Sequence, residues 1–320
     1  MTGYIVRRLL WGVLLLVMVI AVTFVIFYLL PSVDPAVLRA GKNANQKVIA
    51  SIRRDLGLNH SIVVQFWNYL KNIVLHGNFG YSYYYNVPVG SLITDRLPAT
   101  LSLTLGAAVL WVVVGIPVGI ISAIKRRSFL DRAAMGTALV FVSAPVFWLG
   151  LIALYVFASD IGQFKIFPGS GSYVGLTVDP WKWFTSLIMP WLVLSATSAA
   201  IYARLVRGSL LQVMGEDYIR TARAKGLPER TVVLKHGLRS AVGPLVTVLG
   251  LDIAALLGGA ILTETVFNIP GIGRLNYDAI QHGDVTIIQG TVLVAAIFVI
   301  LANIIVDVAY AFLDPRVRYE

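Results

Sequence analysis

Long apolar runs constrain this chain more than any other feature. Five stretches without a charged residue reach the roughly 20 residues that a helix needs to cross a bilayer core. They are residues 9–30, 100–124, 133–158, 184–203 and 287–306. A sixth stretch, 241–263, carries one charge, Asp252, but its eleven Val, Leu and Ile residues outweigh the roughly 3 kcal/mol that a central Asp costs. The pattern predicts an all-α polytopic membrane protein with six transmembrane helices.

The charged residues agree with a membrane location. Only 13% of residues are charged, against roughly 25% in soluble domains, so a soluble fold is excluded. The net charge of +10 lies beside the apolar runs, which disfavours a nucleic-acid partner. Sixteen basic residues fall in one set of short segments and three in the opposite short loops, which predicts that both termini are cytoplasmic. The first run exceeds the length of a signal-peptide core, which disfavours that alternative.

The segment 31–99 is too long for a plain connection and belongs to the predicted outer face. Apolar residues at helical spacing, Val48–Ile52 and Val63–Val74 among them, predict two short amphipathic helices there. Tyrosines at 81 and 83–85 either anchor at the membrane interface, contact an external partner or line an outer gate. Three prolines lie inside predicted spans, where a local kink is favoured over a functional hinge: Pro117, Pro145 and Pro190.

The predicted cytoplasmic loop 204–240 holds the most specific local signals. The span before it continues as a helix to Met214, where Gly215 interrupts it. A short helix follows over 216–225, with acids in its first turn and bases in its last. Gly226 ends that helix, and Pro228 with Glu229 begins another. The charges alone fit a solvated basic loop, but the sharp corner with its small residues favours a docking element.

Six motifs, in order along nearly the whole chain, resemble the inner-membrane permease subunits of the dipeptide/oligopeptide/nickel ABC importers. They are RLPATL at 96–101, GIPVG at 115–119, DYIRTARAKGL at 217–227, ETVF at 264–267, PGIGRL at 270–275 and DPRVR at 314–318. The broader importer pattern in this loop is Glu-Ala-Ala, three residues, Gly, nine residues, Ile-x-Leu-Pro. It is matched at Ala222, Gly226 and Leu238, and its other residues are replaced by Arg220, Thr221, His236 and Arg239. That replacement is typical of the peptide subclass.

The resemblance implies a type I ABC importer transmembrane fold in the bacterial inner membrane. It implies a first part at 1–94 and a transmembrane domain at 95–320 with the coupling loop 204–240. The implied partners are a second homologous permease, two cytoplasmic ATPase subunits that carry ATP and Mg, and an extracytoplasmic substrate-binding protein. The implied ATPase-coupling residues are Tyr218, Arg220, Ala222, Arg223, Ala224, Lys225, Gly226, Leu227, Pro228 and Glu229.

Acids inside predicted spans are costly and are therefore candidates for function. Asp252 either lines the substrate path or pairs with a group on a neighbouring helix. Glu264 is a second candidate for the substrate path, and the alternative for it is a structural pairing within the protein. No phosphate-binding Gly-x-x-x-x-Gly-Lys-Ser/Thr motif, metal-ligand spacing or cysteine occurs, so we expect a non-catalytic chain that binds no cofactor itself. The competing hypothesis is a proton-coupled secondary transporter that uses Asp252 and Glu264; a membrane-embedded enzyme is disfavoured.

Overall fold

The computed structural model describes residues 2–29, 36–37, 45–55, 57–82 and 84–313, and helices dominate it. The first part of the described chain contains α1 (Thr2–Phe24), which ends in a π-helical turn at Val25–Leu29, then α2 (Gln46–Asp55) and α3 (Ile62–His76). A two-stranded antiparallel hairpin follows, with β1 (Tyr81–Ser82) paired to β2 (Val87–Pro88). The two amphipathic helices predicted for the outer segment are confirmed as α2 and α3. The DPRVR motif, Leu56 and Tyr83 lie outside the described residues.

The remaining elements are all helical. They are α4 (Val89–Ile124), α5 (Phe129–Ser143), α6 (Val146–Phe157), α7 (Pro180–Val213), α8 (Asp217–Ala224), α9 (Glu229–Thr231), a π-helical segment (Val232–Gly237), α10 (Leu238–Ala241), α11 (Gly243–Leu257), α12 (Ile261–Val266), α13 (Ile272–His282) and α14 (Val285–Leu313). Within the described ranges, four helices are long and apolar enough to cross a membrane, and the number reaches six when each of two bent pairs counts as one span. The predicted helical membrane architecture is therefore confirmed.

The third predicted span, 133–158, is not one helix. Helices α5 and α6 meet at an angle of 101°, with the break at Ala144 and Pro145. A local kink at Pro145 was the wrong expectation, because the residue before a proline avoids the helical region and Ala144 adopts an extended backbone with ψ 127°. The other two prolines, Pro117 and Pro190, lie inside continuous helices, and the preference for a local kink over a hinge there stays a prediction.

The sixth predicted span, 241–263, also divides. Helix α11 ends at Leu257, and Gly259 then takes φ +123°, which is open to glycine and strained for other residues. A Cβ at Gly259 would lie 2.5 Å from the Cα atom of Gly273. Glycine at 259 therefore allows both the turn and the close approach of two backbone segments.

The chain forms two compact units. The first consists of Met1–Leu97 and Leu275–Leu301. Ile20, Ile73 and Leu293 form a buried cluster in this unit, with Phe66 and Phe79 among the side chains packed against it. The hairpin is held by a hydrogen bond of 2.6 Å from the Ser82 hydroxyl to the buried Asp284 carboxylate.

The second unit consists of Pro98–Arg274 and Ala302–Glu320. Its main core includes the fully buried side chains of Trp111 and Tyr202. Gly115 and Gly119, which open and close the GIPVG motif, let α4 lie directly on α7: Cβ atoms there would lie 2.8 and 2.6 Å from the carbonyl oxygens of Ala199 and Ala203. This is the small-residue packing that membrane helices use in place of a hydrophobic driving force. The predicted division between residues 94 and 95 stays a prediction.

Replacing Gly259 with alanine should destabilise the protein. The new Cβ would meet backbone, which cannot move aside cheaply, and the positive φ adds strain, for a total of about 2 kcal/mol or more. Thermal unfolding of the purified chain in mild detergent measures the effect. Gly208→Ala is the matched control, since nothing lies within 4 Å of its Cβ position inside α7 and alanine favours a helix. Equal midpoints for the two variants would contradict the packing described for Gly259.

Candidate functional site: the corner at Gly226

The predicted corner is present, with its helices close to the predicted boundaries. Helix α7 ends at Val213, the short helix α8 covers Asp217–Ala224, and α9 begins at Glu229. Gly226 stands between them with φ +74°, and Pro228 caps the start of α9. These observations confirm the predicted helix, glycine stop and second helix.

The corner packs on its own loop. Ile219 and Ala222 on one face of α8 are buried together with Val232, and Val213 and Met214 at the end of α7 pack against this cluster. Ala222 was expected to leave room for another backbone, but its side chain serves this internal packing. Ala224 and Gly226 are exposed, so the room for a partner lies there. The corner is therefore a folded element in its own right.

Gly226 is required by backbone geometry. No heavy atom lies within 4 Å of the position that a Cβ would occupy, so the described chain itself leaves this point open. The left-handed φ is what disfavours other residues. The outside of the bend is therefore free space that a partner can fill.

An ion pair closes the bend. The Arg223 guanidinium donates two hydrogen bonds to the Glu229 carboxylate, with Nε–Oε2 at 3.1 Å and Nη2–Oε1 at 2.7 Å. The hydrogen bonds from Arg223 lower the pKa of Glu229, and the same pairing raises the pKa of Arg223. Both side chains are about half exposed, so the pair contributes at most about 1 kcal/mol. The sequence placed both residues at the corner but did not predict that they pair with each other.

The rest of the corner presents basic and apolar side chains to solvent. Arg220 forms an exposed ion pair of 3.3 Å with Asp217, and Lys225 and Pro228 are exposed. Tyr218 and Leu227 are also exposed, at 45% and 37%. A surface of this kind, with apolar side chains among cations, suits a protein groove lined by acids and apolar residues.

The loop returns to the helix that precedes it. Val233 and Ala241, from the segment after the bend, form a buried cluster with Leu210 of α7 and Ala123 of α4. The segment after the bend therefore packs against the ends of two long helices.

Asp252 pairs with a hydroxyl. The fully buried Tyr202 of α7 donates a hydrogen bond of 2.9 Å to the Asp252 carboxylate of α11. Of the two alternatives left open by the sequence, the geometry therefore shows a partner on a neighbouring helix. Asp252 keeps partial exposure, so its assignment to the substrate path stays a prediction.

Glu264 is fully buried, and both of its carboxylate oxygens accept hydrogen bonds. The Thr100 hydroxyl donates to its Oε1 atom at 2.8 Å, and the Arg274 backbone N–H donates to Oε2 at 2.8 Å. Thr100 Oγ1 in turn accepts from the Ile272 backbone N–H at 2.8 Å. These contacts explain why the ETVF, PGIGRL and RLPATL motifs occur together, because one carboxylate joins all three. They support the structural alternative for Glu264, and its place in a substrate path stays a prediction.

A buried acid that sequence reasoning missed joins three helices. The Asp131 carboxylate accepts a hydrogen bond from the Ser122 hydroxyl of α4 and another from the Arg127 backbone N–H at 2.8 Å. Arg207 of α7 donates to both of its oxygens, at 2.7 and 2.9 Å. Ser128 followed by Asp131 is a visible helix-start signal, and Ser128 does accept from the Asp131 backbone N–H. Nothing in the sequence pointed to Arg207 as the partner.

Two further expectations concern the predicted outer face and metals. Tyr81 lies in β1, and Tyr84 stacks on His282 with ring centroids 4.0 Å apart. Interface anchoring, contact with an external partner and the lining of an outer gate all stay predictions for the tyrosines. Across the described part of the chain, no three His, Asp or Glu side chains group to hold a metal ion.

Removing Arg207 should leave Asp131 buried without its cation. Arg207→Ala is expected to lower the free energy of unfolding by about 3 kcal/mol, the usual cost of stranding a buried charge. The control Arg204→Ala removes an exposed arginine from the same helix and should change stability by less than about 0.5 kcal/mol. Thermal unfolding in detergent tests both variants, and a loss confined to Arg204→Ala would refute the role of Arg207.

Comparison with a solved structure identifies the fold. The chain superposes on a chain of the MetNI methionine ABC transporter in an inward-facing conformation, with a TM-score of 0.55 and 21% sequence identity. The match covers 70% of this chain and 96% of that one. The fold is therefore the type I ABC importer transmembrane fold.

The family follows from two family models that together match nearly the whole chain. The model described as "Binding-protein-dependent transport system inner membrane component" matches residues 115–319, and a model for the N-terminal part of such components matches residues 1–104. The chain belongs to this family and is a multi-pass inner-membrane permease component of an ABC transporter. The secondary-transporter alternative is not favoured.

Named relatives match from end to end. "Probable peptide ABC transporter permease protein y4tP" of Sinorhizobium fredii is 41% identical over 316 residues, which is 99% of each chain. "Glutathione transport system permease protein GsiC" is 42% identical in Salmonella typhimurium and 41% in Escherichia coli K12, each over 320 residues and 100% of both chains.

Proposed function

We propose that this chain is the pore-forming permease subunit of an ATP-driven importer of dipeptides or oligopeptides. The observation that carries the proposal is the full-length similarity, at 41–42% identity, to permeases named for peptide and for glutathione, which is itself a tripeptide. Full-length similarity at this level includes the pore helices as well as the loop motifs.

The family description supports the proposed partners. A binding-protein-dependent system takes its substrate from an extracytoplasmic binding protein. A second, homologous permease completes the pore, and two cytoplasmic ATPase subunits bind ATP and Mg. In this arrangement the chain itself is non-catalytic and holds no cofactor.

The corner at Gly226 is the proposed docking element for an ATPase subunit. Three features support this role: the corner is folded by its own packing, its bend is closed by an ion pair, and its outside is open and basic. A rigid corner that contacts the ends of α4 and α7 moves as one body with them. ATP then shifts the pore between two packings if it favours one of them by a difference in binding free energy.

Gly226→Trp should abolish attachment of the ATPase subunits. The indole would project into the space outside the bend, where no heavy atom of the described residues lies within 4 Å of the Cβ position, so folding is expected to survive apart from backbone strain at positive φ. Co-purification of ATPase subunits in mild detergent and ATP-dependent peptide uptake in membrane vesicles are the measurements.

The control for this variant separates strain from obstruction. Gly226→Asn should retain most ATPase attachment, because asparagine tolerates a left-handed φ and has a small side chain. Normal uptake by the tryptophan variant would remove the corner from the coupling role. Equal loss in both variants would show that strain alone is responsible.

Asp252→Asn tests the predicted substrate path. If the carboxylate attracts the amino group of a peptide, the variant should lower uptake by about tenfold, the worth of one charge-assisted hydrogen bond, and should change the ranking among peptides. Tyr202→Phe is the matched control, since it removes the 2.9 Å hydrogen bond to Asp252 and keeps the carboxylate. Uptake that falls equally in both variants, with the ranking unchanged, would reduce Asp252 to a packing role.

A further inference from the structure

A tight turn between α4 and α5 exposes an unusual number of cations. The segment 125–132, called here the basic turn, contains four exposed basic side chains: Lys125, Arg126, Arg127 and Arg132. None of them forms an ion pair with an acidic side chain of the described residues. Four unpaired cations on eight residues create a strongly positive local potential.

The basic turn is held rigidly from behind. Arg127 adopts φ +64°, and its backbone N–H donates to Asp131 at 2.8 Å. The Asp131 carboxylate is itself neutralised by Arg207. The one acid of the turn therefore faces inward with its own partner, and its charge does not offset the four outward cations.

Apolar side chains adjoin these cations on the outward side. Phe129 is 77% exposed and Leu130 is 49% exposed. Two residues along a helix turn the side chain by about 200°, so Phe129 lies nearly opposite the buried Asp131. Phe129 also begins an exposed stripe at helical spacing that continues through Ala133, Gly136 and Val140. In a membrane protein a stripe of this kind faces acyl chains.

We propose that the basic turn binds an anionic phospholipid. The cations would contact the phosphate of the headgroup, and Phe129 and Leu130 would lie against its acyl chains. The apolar stripe that continues along α5 from Phe129 to Val140 favours a lipid over a soluble partner, because an acidic protein surface that covers only the turn would leave this stripe in water. Long basic side chains at a helix end reach the headgroup layer while their stems stay apolar. The proposal needs only the membrane location and does not depend on the peptide substrate or the corner at Gly226.

Native mass spectrometry of the full chain, titrated with phosphatidylglycerol or phosphatidylcholine, tests the proposal. The variant K125Q/R126Q/R127Q should bind phosphatidylglycerol at least about tenfold more weakly, while phosphatidylcholine binding stays unchanged. The control K225Q/R230Q/K235Q removes the same charge from the loop 204–240 and should retain phosphatidylglycerol binding. Phe129→Ser keeps every charge and should also weaken phosphatidylglycerol binding.

Four outcomes would overturn the proposal. The first is equally weakened phosphatidylglycerol binding in the control variant, and the second is unchanged phosphatidylglycerol binding in the triple variant. The third is displacement of the lipid by millimolar glycerol phosphate, and the fourth is a triple variant that loses ATPase attachment and still binds the lipid. The last outcome would assign the basic turn to a protein partner. If the triple variant fails to fold, K125Q/R126Q leaves the left-handed Arg127 in place and should still weaken binding severalfold. Loss of ATPase attachment in the control alone bears on the proposed function and leaves the lipid proposal intact.

Discussion

A hydrocarbon core offers no water to polar groups, so a backbone group or charge there is costly unless it finds a partner within the protein, and this constraint shapes the chain. It forces the backbone into helices, and it also explains the buried acids. Asp252 accepts from Tyr202, and Glu264 is held by Thr100 and the Arg274 backbone N–H. In each case the partner lies on a different helix, so each polar contact also fixes how two helices pack.

Around the loop 204–240, packed and hydrogen-bonded parts of the chain lie next to a part that is open to solvent. Helix α7 runs for 34 residues, about 51 Å, and is tied to α5 and α4 through Asp131. The corner then folds on the end of α7 through Ile219 and Val232. The outside of the bend at Gly226 is left open by the described residues. Helix α7 with its folded end and the open surface at Gly226 is therefore suited to transmit the motion of a bound partner.

Sequence periodicity and local signals predicted much of this architecture. The apolar runs located the membrane helices, and the glycine and proline pair located the corner to within a residue or two. The prediction failed at Pro145, where a kink became a 101° break, because the surroundings of a proline decide whether the helix resumes in line. At Pro117 and Pro190 the same residue type leaves the helix continuous.

By itself, the sequence determined which segments are helical and where local backbone geometry must turn, since hydrophobic runs, caps and left-handed positions are properties of neighbouring residues. Only the tertiary structure decided the partners of the charged and polar groups: Arg207 for Asp131, Tyr202 for Asp252, and Thr100 for Glu264. These pairs join residues from 50 to 164 positions apart along the chain. Helix packing in three dimensions brings these residues together, and local patterns in the sequence do not predict that packing.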